Sequence, residues 1–485
     1  MANNNSGCER AAGGASSSGG GGGAYQLGGQ QRNRQLQERV LRQAESFRQQ
    51  LLDENADMDC FADDREALND YEKYFNNAYL SDVKLVVGEE VYFSHRIVLC
   101  KSSDVFERML SEKWDGSKQN IELQEEQHCL PVFGVFLRFL YCNNIVLQPS
   151  NALAVLMLAD KYNVTSLKKV CLDYATQHIL PYLSLKDLYH VWFAYATKTY
   201  HQQLIHTCIL TLAICFEDIV TKEDWEKDWA ELDRDQLVEF LKCSSLTVST
   251  EFTVWQAVMK WLQAPQHPER RGNTAAPTLQ HIVPLIRFPL MTADELTQVE
   301  RSGLAEQHPK VFNSHILSSY KYQALPLASR LACRGEFVSQ QYLLRNYTQL
   351  RWDKRLVISD FRELPRHAEL VLKFSTRACA LPEQSWDWEL KVYPKGVSQS
   401  VEEFRCILSS NVMLDQSRAV EYLFAIVDEK KVLRSVAGKK TFTKTRYSTD
   451  LEVDKKVDLD EVMVEDSPLI QNDTLTIQLT LKPVD

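Results

Sequence analysis

The pattern of apolar and polar residues predicts a small mixed domain over residues 66–180. Residues 83–87 alternate between apolar and polar side chains, the alternation breaks at a Gly-Glu-Glu turn, and it then resumes, which is typical of a β-hairpin packed on an apolar layer. Two short helices are expected next, the second beginning at Asp104, followed by a third strand at 120–123 and by further helical stripes. The pattern therefore predicts a small sheet inside a helical cluster.

Residues 181–325 show only a helical period, and we expect no strand there. Capping-box patterns at Ser184 to Asp187 and at Asp233 to Gln236 predict two of the helix starts. This segment is predicted to be an all-α domain.

After about residue 340 the period changes to two. In the stretch WDWELKV, Trp386 and Trp388 share one face with Leu390 and Val392, while acidic and basic residues occupy the other face. Several such strands separated by turn residues predict an antiparallel β-sandwich over residues 340–485, with the two tryptophans in its core. The fold class expected for the chain is multidomain α+β: a mixed α/β domain, an all-α domain and a β-sandwich.

Composition predicts the state of the two amino-terminal segments and the compartment in which the protein is found. Residues 1–33 are rich in Gly, Ser and Asn and are expected to be a disordered tail, and residues 34–65 are expected to form a short amphipathic helix and an acidic linker. A net charge of -10 argues against nucleic-acid binding. No apolar run is long enough to span a membrane and no leader pattern is visible, so we expect a cytoplasmic protein.

The candidate reactive groups favour structural roles. His201, His206 and Cys208 do not follow a recognised zinc spacing. Asp82 and His95 lack a nucleophile motif, and a strand-end histidine bonded to backbone explains His95 better than general-base chemistry. The phosphate-loop, dinucleotide and zinc-protease motifs are absent from the sequence. We therefore expect a protein that is not an enzyme and that uses no metal or cofactor.

The stretches SDVKLVV, VYFSHRIVLCKSSDVFERML and LADKYNVTSLKKVCLDY resemble the BTB/POZ domain. The helical stretch SSLTVSTEFTVWQAVMKWL is similar to the BACK domain, and WELKVYPKG with NDTLTIQLTL resembles a TRAF-type (MATH-like) domain. This order of domains resembles the galectin-3-binding-protein-like BTB family, and the low-complexity amino terminus is similar to insect members named for transport and Golgi organisation.

The resemblance implies a homodimer. A helix carrying Tyr71, Phe75 and Tyr79 is expected to lead into the hairpin, and it matches the family helix that packs against its own copy. Asp82 and Arg96 match the charged pocket on the dimer side, and as a carboxylate and a guanidinium they could form a bidentate bridge.

The resemblance also implies a contact with cullin-3. The family uses a hydrophobic-x-Glu motif just after the helix that here carries Phe106 and Met109. The best-aligned triplet is Trp114-Asp115-Gly116, which keeps the hydrophobic residue and lacks the Glu.

The function implied is that of a dimeric substrate-recognition adaptor for a cullin-3 ubiquitin ligase, with the sandwich holding an unknown protein substrate. Such an adaptor acts by proximity and has no catalytic residue of its own. The alternative is a dimeric scaffold outside any ligase, or a secreted assembly protein like galectin-3-binding protein.

Overall fold

The structure is a computed structural model that describes residues 71–111, 119–333, 335–379, 384–410 and 417–484. The predictions for the tail at 1–33, for the helix and linker at 34–65 and for the triplet that begins at Trp114 lie outside these residues. Within them, no helix combines the length and the hydropathy that crossing a membrane requires.

The amino-terminal domain contains a three-stranded sheet in the order β2-β1-β3. Strand β1 (Val83–Val87) pairs antiparallel with β2 (Glu90–Ser94) and parallel with β3 (Asn120–Leu123). Alternate residues of β1 are buried, which confirms the predicted hairpin and its apolar face. The described residues of this domain also form the helices α1 (Arg96–Ser102), α2 (Asp104–Met109), α3 (Phe133–Cys142), α4 (Ala152–Lys161) and α5 (Thr165–His178).

The prediction of a helix that carries Tyr71, Phe75 and Tyr79 is wrong after Glu72. Of the described residues before β1, only the first two are helical and turns follow. Asn76 has a φ of 48° and Leu80 a φ of 60°, both in the left-handed region that a right-handed helix cannot contain. The Asn76 side chain also accepts a hydrogen bond from the Phe93 backbone N–H at 3.0 Å. This contact with the hairpin replaces the helical turn.

The next segment is almost entirely helical, as predicted. Its helices are α6 (Leu185–Asp187), α7 (Ala194–Thr199), α8 (Gln202–Ile214), α9 (Phe216–Thr221), α10 (Glu226–Glu231), α11 (Arg234–Lys242), α12 (Glu251–Leu262), α13 (Ala276–Ile282), α14 (Ala293–Glu300), α15 (Gly303–Gln307), α16 (Pro309–Ala324) and α17 (Leu327–Ala332). The capping box predicted at Asp233 and Gln236 is present at the start of α11. A single apolar core continues from the amino-terminal domain through these helices.

The expectation that this segment holds no strand is wrong at one place. Strand β4 (Thr247–Val248) pairs in parallel with β5 (Asn346–Tyr347). A two-residue strand has no alternation to detect, and its partner lies about a hundred residues later in the chain. Through β5, the segment before the sandwich is joined to the helical domain.

The carboxy-terminal domain is an antiparallel β-sandwich, as predicted. Its strands are β6 (Asp353–Ile358), β7 (Leu370–Cys379), β8 (Gln384–Tyr393), β9 (Arg405–Ser410), β10 (Arg418–Val427), β11 (Val432–Phe442), β12 (Ser448–Asp450) and β13 (Leu475–Val484), with the short helix α18 (Leu459–Met463) before the last strand. The sheets have the orders β11-β10-β13-β6 and β12-β9-β8-β7. Trp386 and Trp388 are buried between them, which confirms their assignment to the core.

Candidate functional site

An exposed apolar surface lies where the hairpin meets helix α1. Tyr79, Leu80 and Ile97 have exposed fractions of 64%, 69% and 78%. The Tyr79 carbonyl accepts a hydrogen bond from His95 Nε2 at 2.9 Å, two residues before Ile97, and this bond brings together the two segments that carry these side chains. Large apolar side chains grouped and exposed in this way are typical of an interaction surface.

His95 holds this region together. Its Nδ1 lies 3.0 Å from the Tyr141 hydroxyl, which also accepts a hydrogen bond from the His95 backbone N–H at 3.0 Å. Both ring nitrogens therefore have structural partners, and the interpretation of His95 as a strand-end histidine bonded to backbone is confirmed.

Asp82 contacts Arg96 through the backbone. The Arg96 N–H donates to Asp82 Oδ1 at 2.8 Å, so the carboxylate lies at the positive end of helix α1. The Arg96 guanidinium donates from Nη1 to the Leu110 carbonyl at 3.3 Å. In the single chain Asp82 is exposed and Arg96 is half-buried. Their role in a dimer stays a prediction.

The two other residues predicted at the dimer interface lie beside this surface. Tyr71 has 48% of its area exposed. Phe75 is half-buried and packs edge-on against Tyr141, with ring centroids 5.9 Å apart. Phe75 is therefore packed against Tyr141, while Tyr71 stays accessible.

The residues predicted to contact cullin lie on or just after helix α2. Phe106 is 1% exposed and stacks on Tyr162 with centroids 4.4 Å apart, so its side chain fixes the helix in the core. Met109 is half-buried. Trp114 and Asp115 lie outside the described residues, and the contact itself stays a prediction.

A buried ion cluster, formed by Glu251, Arg287 and Arg345, joins the helical domain to the segment before the sandwich. Arg345 Nε donates to Glu251 Oε2 at 3.0 Å, and the side chains of this pair are 0% exposed. The Tyr347 hydroxyl donates to the same oxygen at 2.6 Å. The Arg287 backbone N–H donates to Glu251 Oε1 at 2.9 Å.

The two arginines of the ion cluster also bind backbone and side-chain oxygens on both sides of the junction. Arg345 Nη1 donates to the Cys243 carbonyl at 2.6 Å, and Arg287 Nη1 donates to the Leu343 carbonyl at 2.8 Å. Burial, and then the neighbouring Arg345 cation, lower the pKa of Arg287. The junction is therefore held by charge-assisted hydrogen bonds in a water-excluded site.

Local sequence patterns missed this ion cluster. Glu251 stands in the first turn of α12, where an acidic residue is ordinarily explained by the helix dipole. Its partner Arg345 is 94 residues away in the sequence. The one available signal was an arginine within the apolar run that follows residue 340.

The three residues weighed as metal ligands have other partners or positions. His201 Nε2 lies 2.7 Å from Asp160 Oδ2, and His206 Nε2 lies 3.8 Å from Glu429 Oε1. Cys208 is buried in helix α8. Across the described ranges, no three His, Cys, Asp or Glu side chains are grouped as a metal site requires.

Comparison with known families identifies the three domains. Residues 71–179 match the model of the BTB/POZ domain, residues 189–301 match the BACK model (BTB And C-terminal Kelch), and residues 342–409 match the model of the BTBD17 TRAF domain. The chain thus contains a BTB domain, a BACK domain and a segment similar to the BTBD17 TRAF domain. Its BTB domain therefore contains the exposed apolar surface, and the ion cluster lies between the BACK domain and the TRAF-type sandwich.

Several curated proteins are similar to this BTB–BACK protein. BTB/POZ domain-containing protein 17 of Xenopus laevis is 25% identical over 292 residues, which are 59% of this chain and 57% of the relative. The Homo sapiens protein of that name is 27% identical over 56% of this chain and 52% of its own length. Galectin-3-binding protein of Mus musculus is 24% identical over 51% of this chain and 41% of its own. The chain spans about half the length of the curated relatives it matches.

Proposed function

We propose that the protein is a cytoplasmic, dimeric adaptor that brings a substrate protein to a cullin-3 ubiquitin ligase. BTB domains generally mediate protein–protein interaction and dimerisation, and a BACK domain follows the BTB domain here. The adaptor itself performs no chemistry. It raises the effective concentration of substrate lysines near the ubiquitin carrier, and a dimer makes the assembly bivalent.

The proposed dimer rests on one observation, the exposed apolar surface at Tyr79, Leu80 and Ile97. Burying large apolar side chains stabilises an association by roughly 25 cal/mol per Å² removed from water. A second copy offers the same apolar surface, so a two-fold axis through it would cover both at once. The predicted pair of Asp82 and Arg96 borders this surface and would be desolvated with it.

The dimer is tested by light scattering of the full chain and of Ile97→Asp. Ile97 is 78% exposed, so the substitution costs the fold little and places a charge in the proposed interface. We expect a dimeric wild type and a monomeric variant. Val146→Asp, at a position that is 69% exposed elsewhere in the BTB domain, is the matched control and should stay dimeric. A wild type that remains monomeric at every concentration contradicts the proposal.

The cullin contact is tested by titrating cullin-3 into the full chain. Trp114→Ala should weaken binding by about 2 kcal/mol, since buried aromatic anchors commonly lose that much on truncation. Gly116→Glu restores the motif of the family and should tighten binding. Undetectable binding at high micromolar protein, or binding unchanged in Trp114→Ala, would refute the ligase role and leave the dimer untouched.

The TRAF-type sandwich is the proposed substrate-binding domain, through the edge of strand β7, where the Arg377 N–H donates to the Arg351 carbonyl at 2.8 Å and the residues before Arg377 would pair with a peptide. The edge strand β12 has three residues, and the edge strand β11 is packed by helix α17. Strand β7 has ten residues at the end of its sheet. An extended peptide can add to such an edge through main-chain hydrogen bonds.

The second candidate is a dimeric scaffold that recruits no ligase, or a secreted assembly protein. Two observations favour it: Gly116 replaces the Glu of the cullin motif, and relatives named galectin-3-binding protein match the chain. A dimer that binds no cullin-3 even after Gly116→Glu would support this candidate.

A further inference from the structure

A cavity of about 520 Å³ lies between the BACK domain and the sandwich. One wall is apolar and consists of Ile205, Ile209 and Leu210 from helix α8. The opposite side carries Arg355 from strand β6 and the turn at residues 429–430 between strands β10 and β11. Pockets of roughly 300–1,000 Å³ with apolar walls and a few polar groups are typical of ligand sites.

Arg355 is weakly partnered for a guanidinium in this position. Its hydrogen bond to another described residue runs from Nη1 to Asn346 Oδ1 at 3.4 Å, which is long for an N–H···O bond. A guanidinium has five N–H donors. Burial lowers the pKa of Arg355, because the cation has lost water without gaining a close carboxylate. Arg355 also lines a second cavity of about 410 Å³, so its side chain borders open space on two sides.

Among the cations that line the larger cavity, Arg355 is the half-buried one, whereas Lys242 and Lys430 are exposed. Lys242 Nζ lies 2.8 Å from Glu239 Oε1, so these two charges offset each other. Glu429 is exposed at the rim and lies 3.8 Å from His206 Nε2. Lys430 is exposed in the same turn. The cavity thus combines a positive centre at Arg355 with one rim carboxylate, Glu429, which would repel a doubly charged anion more strongly than a singly charged one.

The walls of the cavity are fixed before any ligand arrives. Gln340 Nε2 donates to the Lys242 carbonyl at 2.7 Å, and Asn346 Nδ2 donates to the Ser245 carbonyl at 3.1 Å. The ion cluster holds Cys243 and Ser244 between these points. A preformed site loses less entropy when it binds a ligand.

We propose that this cavity binds a monovalent carboxylate with an apolar body. The carboxylate would take the Arg355 donors that are not bonded to Asn346, which match its geometry, and the apolar body would lie mainly on Leu210, which is 41% exposed beside the nearly buried Ile205 and Ile209. A free fatty or aryl acid and the carboxy-terminus of a peptide share this chemistry. The site is separate from the proposed edge at strand β7 and from the proposed dimer surface.

The test is calorimetric titration of the full chain with octanoate, its neutral amide octanamide, inorganic phosphate, and an acetylated tripeptide that ends in a leucine carboxylate. We expect octanoate or the tripeptide to bind at least ten times more tightly than octanamide and phosphate. Binding of octanoate would identify the ligand as a free acid, and binding of the tripeptide would identify it as the carboxy-terminus of a peptide. Binding by neither probe overturns the proposal, as does equal binding of octanoate and octanamide.

Two variants connect the binding to this cavity. Arg355→Gln should abolish carboxylate binding and leave the melting temperature unchanged or higher, since it removes a desolvated cation that lacks a close partner. Glu429→Gln removes a repelling charge at the rim and should tighten binding several-fold. Lys482→Gln, an exposed position on the neighbouring strand β13, removes the same charge elsewhere and should change nothing.

Unchanged carboxylate binding in Arg355→Gln overturns the proposal. If Arg355→Gln instead lowers the melting temperature, the affinity of Glu429→Gln for the carboxylate decides between a ligand site and a purely structural role for Arg355. A gain in affinity supports the site, and no gain shows that Arg355 is only a structural cation.

Discussion

Replacing Glu251 by Gln should open the junction between the BACK domain and the sandwich. The substitution keeps the shape of the side chain and removes the carboxylate that meets Arg345 Nε at 3.0 Å, the Tyr347 hydroxyl at 2.6 Å and the Arg287 N–H at 2.9 Å. A glutamine has one carbonyl oxygen, so at least one of these donors would face an NH₂ group. Two guanidinium groups would then share the site with no carboxylate among their described contacts.

The magnitude follows from burial. Removing one partner of a fully buried ion pair costs about 3–5 kcal/mol, because the remaining charge stays desolvated. At roughly 2–4 °C per kcal/mol for a domain of this size, the melting temperature of the BACK domain should fall by about 10 °C. Glu226→Gln is the matched control, because Glu226 pairs with Lys260 at 3.3 Å on the surface with 63% of its side chain exposed. Such a pair contributes about 1 kcal/mol or less.

The assay is calorimetry combined with hydrogen exchange. The amides of Asn346 and Thr348 donate to the Leu246 and Val248 carbonyls, each at 3.0 Å, and report directly on the pairing of β4 with β5. In Glu251→Gln these two amides should exchange faster, while the amides inside the sandwich keep their protection. A loss below about 1 kcal/mol, or exchange that rises equally in the sandwich, would refute this account of the junction.

Three further predictions concern the junction, the core of the sandwich and a buried histidine. A protein that ends at residue 340 should melt at a lower temperature than one that ends at 350, because it lacks Arg345 and Tyr347; equal melting temperatures would contradict this. Trp388→Ala should destabilise the sandwich by about 3–5 kcal/mol in urea unfolding, since the side chain is 1% exposed and its Nε1 donates to Thr376 Oγ1 at 2.9 Å. Burial lowers the pKa of His315, whose Nδ1 lies 2.9 Å from Gln341 Nε2. The unfolded chain then binds the extra proton first, so stability should be complete above about pH 6.5 and fall as the pH drops below it. His315→Gln should remove that part of the pH dependence, and an identical pH profile would exclude His315 as its source.

Local periodicity predicted the elements whose neighbours in space are also neighbours in sequence. The hairpin from β1 to β2 and the alternating strand that carries Trp386 and Trp388 needed only a period of two and a turn. The capping box at Asp233 and Gln236 lies within a single helical turn. In these places the side chains that decide the structure are a few residues apart.

The features that the sequence did not predict depend on residues that are far apart in the chain. The helix expected through Tyr79 gives way to turns after Glu72, and the side chain of Asn76 in these turns binds Phe93, 17 residues away. The two-residue strand β4 and the ion cluster depend on partners separated by about a hundred residues. A local pattern holds no information on such pairs. The cavity at Arg355 belongs to the same class, because its walls come from two domains.

The position of the ion cluster also bears on the proposed adaptor. In a dimer each BACK domain carries one sandwich, so the distance between the two substrate sites depends on how firmly each junction is held. Bivalent capture gains most when the span of the sites matches the ligand, and it declines when that span is free to vary. Loosening the junction through Glu251→Gln should therefore leave the affinity of a single sandwich for a partner unchanged and weaken capture of a bivalent one. Arg345 and Tyr347, which touch neither proposed partner surface, would then control the reach of the assembly.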